Sequence, residues 1–78
     1  MSSSETTTYG VVLFRSVQGA LAAEKRLVAV GIPHKLIAVP RHLSSNCGFC
    51  LRFAWLDRDR VAAILADGDL GVETTVAL

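Results

Sequence analysis

Cys47 and Cys50 are the two cysteines of this 78-residue chain, and both stand in the run Pro40-Arg41-His42-Leu43-Ser44-Ser45-Asn46-Cys47-Gly48-Phe49-Cys50. A thiol becomes a nucleophile or a metal ligand only as thiolate, and nearby cations and hydrogen-bond donors favour that form. Arg41, His42 and Arg52 are cations within a few residues of the pair, and the loop amides of Ser44, Ser45, Asn46 and Gly48 are candidate donors to an anionic sulfur. Chemistry is expected in this segment.

The spacing of two residues between the cysteines admits three uses. Thioredoxin-type redox chemistry needs the pair at a helix N-terminus, which this sequence does not offer. In one extended run, positions 47 and 50 would lie about 10 Å apart on opposite faces, beyond the roughly 7 Å between Cα atoms that a disulfide tolerates. The pair closes only if Gly48 turns the chain, as its freedom at positive φ permits. A zinc or iron-sulfur site wants four strong ligands, and beside the cysteines only His34 and His42 are available; no metal or cofactor is expected. The third use is a single nucleophilic sulfur, with Cys47 carrying a persulfide or selenopersulfide. Cys50, inside an apolar run, is then either a buried small hydrophobe or a resolving thiol.

The elements that must position this loop follow from periodicity. Tyr9 to Phe14 is an apolar, β-branched and aromatic run suited to a central strand. Ser16 is placed to cap a helix by accepting from the N–H of residue 18 or 19, and Gly31 with Pro33 ends that helix. His34 to Val39 alternates as a strand with Leu36 and Ala38 on one face and Lys35, Ile37 and Val39 on the other, until Pro40 stops it. Phe49, Leu51, Phe53 and Trp55 recur with period two, Asp57 can cap a second helix bearing Val61, Ile64 and Leu65, and Val72 to Leu78 forms a last strand. The order β-α-β-β-α-β predicts a ferredoxin-like α+β fold, a four-stranded antiparallel sheet with two helices on one face.

On the first helix, Val17, Ala20, Leu21, Leu27 and Val28 define an apolar arc with Glu24 near its centre. A carboxylate buried there must be paired, with Arg41 or Arg52 as the expected partner tying the helix to the cysteine loop. Alternatively the helix rolls toward Ala20, Ala23 and Leu27 and leaves Glu24 at the boundary.

Composition bounds the remaining choices. The length gives one domain, residues 9–78, preceded by a polar tail, 1–8, expected to be disordered. Eight Lys and Arg against seven Asp and Glu give a net charge of +1, which argues against a polyanion-binding surface. The Ser/Thr-rich start is neither a signal peptide nor a membrane span, so a cytoplasmic location is expected. No phosphate-binding glycine loop and no Ser-His-Asp arrangement is present, so a carrier or interaction module is expected rather than an enzyme. Association into homo-oligomers through an open sheet face would supplement a small core.

The run Val39 to Gly48, followed by Leu51-Arg52-Phe53, together with Leu21-Ala22-Ala23-Glu24-Lys25 and Gly31-Ile32-Pro33-His34, resembles the small bacterial family of selenium/sulfur carrier-like proteins. The likeness extends from Tyr9 to Val76. It implies Cys47 as the family cysteine, a persulfide or selenopersulfide acceptor supplied by a cysteine desulfurase-type donor and emptied by an acceptor protein. Cys50 departs from the small apolar residue usual at its position, which weakens any mechanism requiring two thiols. Two alternatives stay open: a regulatory or oligomerising interaction domain, and a CxxC thiol-redox or metal module.

Overall fold

The structure, a computed structural model, describes residues 8–43, 47–66 and 68–78. Strand β1 (Tyr9–Phe14) leads to helix α1 (Val17–Val30), strand β2 (His34–Ala38) and strand β3 (Phe49–Ala54). A 3-10 turn (Trp55–Asp57) then enters helix α2 (Arg58–Leu65), and strand β4 (Val72–Ala77) completes the domain. The sheet order is β2-β3-β1-β4, antiparallel throughout. This is the ferredoxin-like α+β arrangement expected, and no helix among the described residues is long and apolar enough to cross a membrane.

The apolar run of β1 occupies the centre of the sheet because both of its faces are covered. Val12 and Phe14 point to the helices, joining Ala20, Ala23, Leu27, Leu51, Phe53, Val61 and Leu65 in the main core. At about 1.5–3 kcal/mol for each large apolar side chain taken from water, this layer is the chief source of stability. Val11 and Leu13 point the other way into a second, smaller cluster. Upstream of β1, Thr8, assigned from sequence to the tail, gives its carbonyl to the N–H of Trp55 at 2.8 Å.

Ser16 caps α1 by accepting from the N–H of Gly19 at 3.2 Å. Gly31 ends it at φ 77°, the left-handed conformation in which a glycine is the least strained residue, and its N–H returns to the carbonyls of Leu27 and Val28. The buried face of α1 is Ala20, Ala23 and Leu27, the rolled alternative. Two alanines on that face let the helix lie close to the sheet, leaving Val17, Leu21 and Val28 exposed. Asp57 stands before α2 as expected but makes no capping hydrogen bond; its carboxylate instead lies 3.5 Å from the Arg60 guanidinium.

Candidate functional site

The link between β2 and β3 builds the site. After Pro40 a turn closes through the Leu43 N–H on the Pro40 carbonyl at 3.0 Å, and the Val39 N–H bonds the Gly48 carbonyl at 3.0 Å, which extends the β2–β3 ladder by one rung. Gly48 has φ 78°, a left-handed value that costs a residue with Cβ roughly 1–2 kcal/mol. That turn folds Cys47 back on Phe49. The Cys47 thiol donates to the Phe49 carbonyl at 2.8 Å and accepts from the Phe49 N–H at 3.3 Å. Cys47 is half-buried and packs against the helix-side core.

Cys50, three residues on, lies on the other side of the sheet. It is the first fully buried residue of β3, paired with Leu13 on β1 and Ile37 on β2. Its cluster is Val11, Leu13 and Cys50, with Ile37, Val39, Leu43 and Val76 packed on it. Burial pushes the Cys50 thiol up from its ordinary value, and charge on Cys47 acts in the same direction. Neither cysteine is in a disulfide. Cys47 meets one face and Cys50 the other, so the CxxC spacing does not bring them together as a bonded pair.

The loop that carries Cys47 is thus also a cover. Val39 and Leu43 fold onto the sheet face away from the helices, so at the Cys50 end the chain's own loop occupies the surface that the sequence left open. Leu43, the one apolar residue between Pro40 and Cys47, was the available signal. The role of the Phe49 main chain was signalled only by the glycine before it.

Two expected members of the site lie elsewhere. The Arg52 guanidinium sits 4.4 Å from the centre of the Tyr9 ring, at the end of β3 remote from Cys47, because strand alternation puts it on the face away from the helices and the register carries it toward the start of β1. Glu24 does not reach Arg41 or Arg52. Its carboxylate is 3.7 Å from Nε2 of His34, whose side chain is 9% exposed, while Nδ1 of the same ring meets the Ile32 carbonyl at 2.8 Å. Glu24 therefore ties α1 to the start of β2, not to the cysteine loop. Arg41 and His42 are exposed in the turn. Ser44, Ser45 and Asn46 lie outside the described residues. Among the described residues no group of three or more His, Cys, Asp or Glu side chains is placed to hold a metal ion.

What the arrangement can do follows from Cys47 alone. A half-buried cysteine in a turn, with a main-chain N–H directed at its sulfur, suits a nucleophilic thiol. A family model described as "Putative Se/S carrier protein-like" matches residues 9–77. No curated protein and no solved structure matches the chain.

Proposed function

The chain belongs to the Se/S carrier protein-like family, and on that footing we propose that it carries a sulfur or selenium atom on Cys47, taken from a cysteine desulfurase-type donor and passed to an acceptor protein. The observation that supports the reading is the half-buried Cys47 in its turn, with the Phe49 N–H directed at its sulfur. Loading is a sulfur transfer. The Cys47 thiolate attacks the outer sulfur of the donor's persulfide, a new S–S bond forms at Cys47, the donor's own S–S bond breaks, and its thiolate leaves with that electron pair. Unloading repeats the step with an acceptor thiolate, and Cys47 departs as thiolate. No external oxidant or reductant enters.

The Phe49 N–H remains a donor to the sulfur in the anionic forms, whereas the Phe49 carbonyl suits only the protonated thiol. The reactive form is therefore expected to turn from the carbonyl toward solvent while keeping the amide. Cys50 takes no part, since its sulfur is sealed under Val39 and Leu43. Transfer takes place in the cytoplasm in this reading, where thiols stay reduced.

Intact-mass measurement under non-reducing conditions, after incubation with cysteine and a desulfurase, tests the proposal. A gain of one sulfur atom, removed by dithiothreitol and mapped by peptide to Cys47, is expected; selenocysteine in place of cysteine tests the heavier cargo. An unmodified chain with both substrates leaves an interaction domain. Loss of two hydrogen atoms instead of a gain would favour the redox module.

A further inference from the structure

Two cations stand side by side on the sheet face away from the helices. In the β2–β3 ladder Lys35 is directly opposite Arg52, and like charges so placed repel one another. Arg52 is held 4.4 Å from the ring centre of Tyr9. A guanidinium held over an aromatic ring still has N–H groups to offer oxygen acceptors. Among the described residues neither Arg52 nor Lys35 has a carboxylate partner. Glu24, on α1, lies on the helix side against His34.

These residues border a cleft of about 350 Å³, with Tyr9, His34, Lys35, Arg52 and Phe53 around it. That volume is within the range of small-ligand sites. It lies where Tyr9 pairs with Ala54, whereas Cys50 pairs with Leu13 at the other end of the same ladder, so it is separate from the cysteine loop. We propose that the cleft binds a small oxyanion, phosphate or carboxylate. Arg52 supplies a two-pronged pair of N–H bonds to its oxygens, and Lys35 supplies the second positive charge. The Tyr9 ring holds the guanidinium in place in advance, so less freedom is lost on binding.

The test is a two-dimensional amide NMR titration of the full chain with sodium phosphate and, separately, sodium acetate, with ionic strength held constant by chloride. Saturable shifts at the amides around Lys35, Arg52 and Tyr9 are expected, with the Cys47–Phe49 amides unmoved. Arg52→Gln should weaken binding by about tenfold or more, and Arg52→Lys, which keeps the charge and loses the fork, by less. Lys35→Gln, at an exposed position, should weaken it severalfold and keeps the test open if Arg52→Gln fails to fold. Saturation by phosphate, by acetate or by both sustains the site and identifies its oxyanion. Shifts that stay linear with both, that chloride reproduces, or that survive unchanged in the folded variants overturn it.

Discussion

Cys47 and Cys50 have the same side chain three residues apart and opposite physical lives. One is half-buried beside a left-handed turn and hydrogen-bonded to the Phe49 main chain; the other is 0% exposed in a strand flanked on both sides, paired with Leu13 and Ile37. Gly48 makes the difference. It lets the chain turn between them, after which period-two alternation sends Phe49 to the helix side and Cys50 to the opposite one. Spacing alone therefore says less about a thiol than the side of the sheet it falls on.

The sharpest way to break this comparison is chemical. Cys47→Ser should abolish chalcogen loading entirely while Cys50→Ala leaves it intact, as read by intact mass; loss of loading in both would restore a two-thiol mechanism. In the unmodified protein, iodoacetamide should label Cys47 directly and Cys50 only through opening. An opening free energy of about 3 kcal/mol already separates the two rates by roughly two orders of magnitude.

Stability should separate the positions in the reverse sense. Cys50→Ser places a hydroxyl where no partner awaits it and is expected to cost about 1–3 kcal/mol, whereas Cys47→Ser should stay within about 0.5 kcal/mol. Urea midpoints measure both. Leu43→Ala removes part of the cover and should cost about 1 kcal/mol, with faster labelling of Cys50 and unchanged labelling of Cys47.

The smallest effect is electrostatic. Folding raises the Cys50 pKa by burial, so above the value of an unfolded thiol, about 8.5, the folded chain binds more protons than the unfolded one. The corresponding stability is fully present below that pH and is lost as pH climbs toward the folded value. The stability of the wild type against denaturation should fall from about pH 8.5 upward more steeply than that of Cys50→Ala; parallel curves would mean that the strand thiol is not sealed.

Much of the architecture was legible because local rules and global fold agree. The Ser16 cap, the Gly31 terminus and the alternation through Leu36, Leu51 and Phe53 each name a boundary or a face by themselves. The site was legible as far as Cys47 in a turn and Cys50 in a strand. What could not be read depends on which surfaces meet. The apolar arc of α1 is wider than the face that packs, so periodicity could not say that Val17, Leu21 and Val28 stay outside while Ala23 goes in. Glu24 found His34 rather than Arg41 or Arg52 because α1 lies across the start of β2, a relation set by packing. Arg52 was near Cys47 in sequence, but an extended chain carries a residue about 3.3 Å away with each step, and Tyr9 waits at the far end.

The position of β1 between β3 and β4 has a kinetic consequence. Among the described residues the only pairing between strands adjacent in sequence is β2 with β3, while both partners of β1 come from far along the chain. Local hairpins close in microseconds and distant pairings wait on larger loop closures. The hairpin is therefore expected to form with Cys47 already in its turn and Cys50 still bare, since Val11 and Leu13 arrive only when β1 docks. During that interval the two thiols are equally open to oxidants. Refolding under oxidising conditions should divert part of the chain into thiol-linked species that the finished protein, once β1 is in place, no longer forms.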